Sequence, residues 1–378
     1  MTAEKTSPLL SKFIIDGVPQ ELTPLQLLGG VLDGSVAESL RGSGAAGEIV
    51  DETVDPVCAR HEYDSSRVDE YLAGVIETKR TFPILFSDSC TRSRIAFCLM
   101  ETLWKNGHFR IGDIALKLAW KWNSAALGNM SAFYSSVQAA ADYIDGLGIR
   151  VDGCSYAESR SACDFSVKAA LALAPDGDEE SFVELPYRVS RARMCNARAC
   201  PSTLIPDAKS WVVYIPFESS DYRLGGSLLA QYLKLNGGVP PQIGDADYFI
   251  DCYEVVRELV EDGIIISAQA VGDGGLLSAV HRMSSEGVGM TIDLSDIMKA
   301  FEETEVSRVL FAEVPGVIIQ IRDIDFDYLD AELLLQDVAF FPLGHPSPDN
   351  ENVRIKASAK TGIQTILESL MHNAEGED

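Results

Sequence analysis

Three groups of residues in this chain are of the types that handle anions. The first is Leu224-Gly225-Gly226-Ser227, two glycines and a hydroxyl directly before the apolar run that starts at Leu228. A glycine turn opening a helix can aim backbone N–H groups, and the positive end of the helix dipole, at a phosphate. The same residues also make a plain turn with Ser227 as helix cap. The second group is Asp273-Gly274-Gly275, which leads from an apolar run into an amphipathic one. A binding turn would do this, but strand-to-helix geometry with positive φ asks for the same glycines and is the better account of them. The third is Arg188, Arg191, Arg193 and Arg198, a basic cluster in an acidic chain. Guanidinium groups can hold a phosphate in bidentate fashion. More often such a run is a solvated strand face or pairs with local carboxylates.

Metal and acid–base chemistry find less support. His61, His108, His281, His345 and His372 form no close pair and no His-x-x-His spacing. Asp323, Asp325 and Asp327 alternate with Ile324 and Phe326, but the glycine and terminal glutamate of a calcium loop do not follow. They read as a solvated strand edge. The eight cysteines are scattered, and Cys195 and Cys200 lack the close partners that zinc needs. No apolar signal core follows the polar start, so reduced thiols in a cytoplasmic protein are expected.

Bulk composition narrows the partners. The formal charge is −26, from 57 acidic against 31 basic residues. A field of that sign disfavours nucleic acid and anionic lipid, though magnesium and local arginines leave a nucleotide possible. No apolar run reaches the roughly 18 residues of a membrane span. With 378 residues, the chain can bury two cores.

The elements that must position these groups follow from apolar periodicity. Residues 82–86 read as a short strand, 94–104 as a helix closed by Asn106-Gly107, and 111–122 as a strand with one buried face. Ser131 is placed as the cap of a helix to Asp145, with a strand from Ile149 to Val151 after Gly146 and Gly148. Strands are expected at 187–194 and 211–217, a short helix at 228–235, and the clearest helix at 245–261. Strand 264–268, helix 276–283, strand 288–294, a helical stretch 295–311 and strand 317–322 complete the second unit. The tail reads as helix 328–336, loop 342–348, strand 353–355 and helix 361–372. Mixed strands and helices of this kind indicate α/β layers of α+β character.

The segment Asp221-Tyr222-Arg223-Leu224-Gly225-Gly226-Ser227-Leu228-Leu229-Ala230-Gln231 resembles a signature of formylglycinamidine ribonucleotide synthetases. Collinear with it, Gln269-Ala270-Val271-Gly272-Asp273-Gly274-Gly275-Leu276 is similar to the family's glycine turn, and Leu310-Phe311-Ala312-Glu313 and Gly316-Val317-Ile318 to its phenylalanine-x-glutamate and glycine-valine strand. A weaker likeness extends upstream through Ser93-Arg94-Ile95, Gly112 to Trp120, Tyr134 to Ala139 and Leu147-Gly148-Ile149. The resemblance covers about two thirds of the chain and implies the aminoimidazole ribonucleotide synthetase superfamily, nearest the second synthetase-like half of the large enzyme. It implies an N-terminal dimerising subdomain and a C-terminal layered α/β subdomain, set here at 76–182 and 183–345. An extension of uncertain fold would occupy 1–75, and a strand-helix tail 346–378.

The resemblance further implies a phosphoribosylformylglycinamidine synthase-like ligase of purine biosynthesis, with ATP or ADP and Mg2+ as cofactors. Its partners would be a second copy, through a shared β-barrel, or a related synthetase, with a small phosphorylated ligand. Candidate nucleotide contacts are Leu224, Gly225, Gly226, Ser227, Asp273, Gly274, Gly275, Arg191 and Arg193. Departures weaken that expectation. The family's glycine-lysine-aspartate-serine is Gly153-Cys154-Ser155-Tyr156 here, its asparagine is Ala119, and a histidine and aspartate become Gln269 and Ala270. Phosphoryl transfer needs positioned cations and metal ligands, so their joint loss points to a non-catalytic or regulatory protein. The alternatives are an active ligase with ligands recruited elsewhere, such as Asp152, Glu158 or the arginine cluster, and a purely structural interaction module.

Overall fold

A computed structural model describes residues 7–41, 49–53, 61–105, 110–171, 198–284, 287–350 and 352–356. In the first half the chain forms β1 (Lys12–Ile15), β2 (Val18–Pro19), α1 (Pro24–Leu27), α2 (Gly34–Arg41), β3 (Ile49–Glu52), α3 (Val68–Glu77), α4 (Ser87–Met100), β4 (Ile114–Trp122), α5 (Asn129–Gly146), β5 (Arg150–Glu158) and β6 (Asp164–Leu171). The second half adds β7 (Trp211–Pro216), α6 (Leu228–Tyr232), α7 (Ala246–Glu261), β8 (Ile265–Val271), α8 (Gly275–Met283), β9 (Gly289–Asp293), α9 (Ser295–Ala300), α10 (Val306–Phe311), β10 (Gly316–Ile321), α11 (Phe326–Leu335), β11 (Phe341–Gly344), β12 (Pro346–Ser347) and β13 (Val353–Lys356).

The first sheet has the order β5-β4-β6, with β5 parallel and β6 antiparallel to β4. Leu116, Leu118, Trp120 and Trp122 face α4 and α5, while Lys117 and Lys121 face out, as the alternating pattern of β4 requires. The second sheet, β11-β7-β10-β8, is antiparallel throughout. One face (Val213, Ile215, Val317, Ile319) joins the core shared with α4, α5 and α7, and the other (Val212, Tyr214, Ile318) joins the core of α3, α8 and α10. Every residue of β10 is buried, and the strand is apolar except for Gln320, whose amide is met by the Ile205 backbone and Ser210 Oγ. The fold is mixed α/β.

Residues 7–41 and 49–53 take one side and 63–77 the other. Phe13 and Leu28 pack into the first core, whereas Tyr71 and Val75 of α3 enter the second. Gly74 lets α3 meet α6 closely, since a Cβ there would fall 2.2 Å from the Tyr232 ring.

Several local expectations are corrected. Residues 84–86 form a 3-10 turn, not a strand, because Pro83 offers no N–H to a sheet and its carbonyl accepts from Phe86 N at 3.0 Å. Helix α4 starts at Ser87 and stops at Met100, earlier at both ends than the expected 94–104. The strand at 149–151 runs on to Glu158. Residues 341–344 and 346–347 are edge strands where a loop was expected, a position that tolerates Pro342 and Pro346. Asp323 and Asp325 lie in a 3-10 turn that opens α11, not on a strand edge, with Arg322 Nε bonding Asp325 Oδ2 at 2.7 Å. The expected strand 187–194 and helix 361–372 lie outside the described residues, as does Asn106-Gly107.

Ser131 does not cap α5. The helix begins two residues earlier, and the cap is the buried Glu52 of β3, whose Oε2 accepts from Met130 N at 2.9 Å and Ser131 N at 3.2 Å. This bond staples the N-terminal sheet to the longest helix. Glu52→Ala is therefore expected to cost about 1–2 kcal/mol in urea unfolding. An unchanged midpoint would remove Glu52 from that role.

Candidate functional site

Glu313 lies in the extended link between α10 and β10, and both glycine turns point at it. Its Oε1 accepts from Leu228 N, at the start of α6, and from Gly274 N, at the start of α8, each at 2.9 Å. Its Oε2 accepts from Arg80 Nη1 at 2.8 Å and Nη2 at 2.5 Å. Arg80 Nη1 also meets Asp273 Oδ1 at 2.8 Å. The Glu313 side chain is 7% exposed and that of Arg80 14%. An anion site has thus formed where the two turns converge, and the anion is a side chain of the protein.

The turns are shaped for this packing. Ser227 caps α6, accepting from Ala230 N at 3.2 Å and donating to Leu224 O at 2.8 Å. Gly225 donates to Val239 O, and a Cβ there would stand 2.5 Å from Val239 backbone. Gly226, at φ +73°, lies under Phe86, which would sit 2.8 Å from an added Cβ. Gly274 and Gly275 have φ of +79° and +71°, and Gly275 abuts the Leu310–Phe311 backbone. Gln231 draws the pieces together. Its Oε1 accepts from Thr81 N at 2.9 Å, and its Nε2 donates to Gly226 O at 3.1 Å.

Little room remains. Arg80, Cys90, Gly225, Gly226 and Glu313 line a residual space of about 20 Å³, enough for about one water and not for a phosphate group. Burial opposes the charge on Arg80, yet Glu313 and Asp273 outweigh it and push its pKa up. Burial pushes the Glu313 carboxyl up as well, against the pull of Arg80 and the two N–H groups. Every atom that contacts its oxygens is a donor, which is the coordination of an ionised carboxylate. Burial also pushes the Cys90 thiol up, which removes it as a nucleophile.

The other expected groups do not converge here. Arg188, Arg191 and Arg193 lie outside the described residues. Arg198 is tied to backbone, donating to Ala268 O at 2.7 Å and Cys200 O at 3.2 Å. Gly153-Cys154-Ser155-Tyr156 is continuous β5, paired residue by residue with Lys117 to Trp120. Glu158 accepts from Ser124 Oγ at 2.6 Å and Tyr156 OH at 2.9 Å. Among the described residues no group of His, Cys, Asp and Glu is arranged to hold a metal ion.

Sequence reading missed Arg80 and the role of Glu313. The available signal was a single charge inside an otherwise apolar stretch, Val309 to Ile319. Glu218 has the same signature after Trp211–Phe217. It is buried too, and its Oε2 accepts from Gly244 N at 2.9 Å and Asp245 N at 3.3 Å at the head of α7.

A larger cavity of about 590 Å³ opens on the far side of Phe86, between the start of α4 and α5. Asp88, Asp142, Arg92, Ser135 and Gln138 line it, with Leu85 and Leu127 exposed at its rim. Arg92 Nη1 is spent on Ile243 O at 2.9 Å.

Residues 218–323 match the family described as AIR synthase related protein, C-terminal domain. The chain is 23% identical over 252 residues to human phosphoribosylformylglycinamidine synthase, covering 66% of this chain and 18% of that protein. Its identity to the Drosophila melanogaster protein of the same name is 32% over 130 residues, covering 32% of this chain and 10% of that one. The chain therefore spans less than a fifth of these relatives. A solved structure titled T. maritima PurL complexed with FGAR superposes with a TM-score of 0.51 at 10% identity, over 74% of this chain and 42% of the other. That likeness is one of fold.

Arg80→Ala should cost about 3–5 kcal/mol in chemical denaturation, since it strands a buried carboxylate. Replacing Arg80 and Glu313 together by Met should cost less than the sum of the single changes. Additive losses would mean that the two side chains do not act as a pair.

Proposed function

We infer that this chain, a member of the AIR synthase-related superfamily related at low identity to the synthetase region of phosphoribosylformylglycinamidine synthase, is a non-catalytic or regulatory relative of that enzyme. One observation carries the reading. Gly153-Cys154-Ser155-Tyr156, where the family's lysine and carboxylate would handle phosphate, is continuous β5 with neither group, and the glycine turns are closed on Glu313, a glutamate the chain shares with the family motif, and on Arg80. A polyphosphate placed at the turns would have to displace a buried ion pair and would meet no free cation among the groups that line the space. A weak anion pocket, where one exists, would depend on Glu313 moving out.

A regulatory role needs a partner, and the open face of the first sheet bears on which. Lys117, Lys121, Arg150 and Lys168 are exposed there, with small residues such as Ala119, Gly153 and Ser166 between them. Lys117 pairs directly across from Lys168, an unfavourable arrangement in isolation. Asp164, exposed directly across from Lys121, adds a carboxylate to the same face, so a two-fold partner copy would meet both signs of charge there. The face suits a second copy of the chain or a related synthetase as the partner.

The rival reading, an active ATP-dependent ligase, draws on the 590 Å³ cavity, which has the size of a small-ligand site. Its two aspartates suit a magnesium-bound nucleotide better than a free one. Thermal shift with ATP, ADP and formylglycinamidine ribonucleotide, each with Mg2+, separates the readings. The non-catalytic account expects no stabilisation. A site filled at 100 times its Kd would add about 2.7 kcal/mol, and such a shift with ATP turnover would contradict the account.

A further inference from the structure

Helix α11 is apolar on two opposite sides. Leu329 and Leu333 are fully buried against the first core. On the other side Ile324, in the 3-10 turn that opens the helix, is followed by Tyr328, Ala331 and Leu335 at steps of four, three and four residues, with Leu334 beside them. Those steps keep the side chains on one helical stripe. Ile324, Tyr328, Leu334 and Leu335 are 84%, 43%, 75% and 78% exposed. A solvated helix face is ordinarily polar, and a stripe of large aliphatic side chains framed by charge is the form of a docking surface.

The frame is acidic on both sides. Asp323 and Asp330 are exposed along one flank, where Asp327 shares the line of Leu334 two turns before it, and Glu332 lies on the other. Glu258 and Asp262 at the end of α7 act on Tyr328 electrostatically. The nearest cation, Arg322, is bonded to Asp325 and to Gly263 O. A second copy of α11 would bring aspartates against aspartates, and an anionic lipid surface would be repelled.

We propose that α11 is the docking site for an amphipathic helix of a partner protein, with leucine-type residues on one face and lysines or arginines along both edges. The partner's apolar face covers Ile324, Tyr328, Leu334 and Leu335, and its basic edges meet Asp327, Asp330 and Glu332. Complementary charge steers the encounter and sets orientation, while the aliphatic contacts hold the complex.

A labelled 20-residue helical peptide of leucine and lysine, with leucines on one face, is titrated with the full chain and followed by fluorescence anisotropy. The control peptide has glutamate for every lysine. Ile324→Ser/Leu335→Ser alters only exposed side chains, and unchanged circular dichroism and Tm verify its fold. The expected result is binding of the lysine peptide, no binding of the glutamate peptide, and a loss of about tenfold or more in the double variant. Asp327→Asn/Asp330→Asn should weaken binding further at low salt than at high salt. Equal binding to wild type and the serine variant would show general attraction to an acidic chain and overturn the proposal. So would a dimer in light scattering that the serine variant dissolves, binding to phosphatidylserine vesicles, or failure of the lysine peptide to bind.

Discussion

A buried carboxylate is tolerable only when all its acceptor capacity is met and its charge is balanced, and Glu313 meets both conditions by gathering four stretches of chain. Arg80 comes from the link between α3 and α4, Leu228 from the head of α6, Gly274 from the head of α8, and Glu313 from the approach to β10. None of these stretches is adjacent in sequence. The placement of α3 on the second core, the tight turn at Gly225-Gly226 and the seating of Phe86 over it all follow from bringing those donors to one point.

The same device recurs twice. Glu52 sits at the head of α5 and Glu218 at the head of α7, each buried and each accepting two consecutive backbone N–H groups. Helix N-termini carry partial positive charge and unpaired donors, and they can be satisfied by a ligand or by the protein. Here the protein supplies the anion. Architecture that suits phosphate recognition becomes a set of internal ties between layers, which is the physical basis for reading the chain as a synthetase-like scaffold.

Much of this was legible in the sequence because it depends on local periodicity. The 245–261 helix, the strands at 211–217 and 317–322, and the cap at Ser227 follow from apolar spacing and cap chemistry, and the structure places them within a residue or two. The collinear motifs also located both turns. What could not be read was what fills them, because Arg80 and Glu313 are 233 residues apart and only the fold joins them. The misplaced cap at Ser131 has the same cause, since its replacement comes from Glu52, 79 residues upstream. Alternating aspartates at 323–327 looked like a strand because two apolar residues fell between them, yet an Arg322–Asp325 bond turns the backbone into a helix start.

Glu313 stands where an external anion would be held, and vacating its position tests that directly. Glu313→Ala leaves Leu228 N, Gly274 N and Arg80 facing an empty space. Melting temperatures of wild type and variant are compared in sodium acetate and in sodium chloride at matched ionic strength. The variant should be destabilised in chloride and recover with rising acetate, while the wild type responds to neither. A variant that acetate fails to rescue, or a wild type that gains as much from acetate, would contradict the claim.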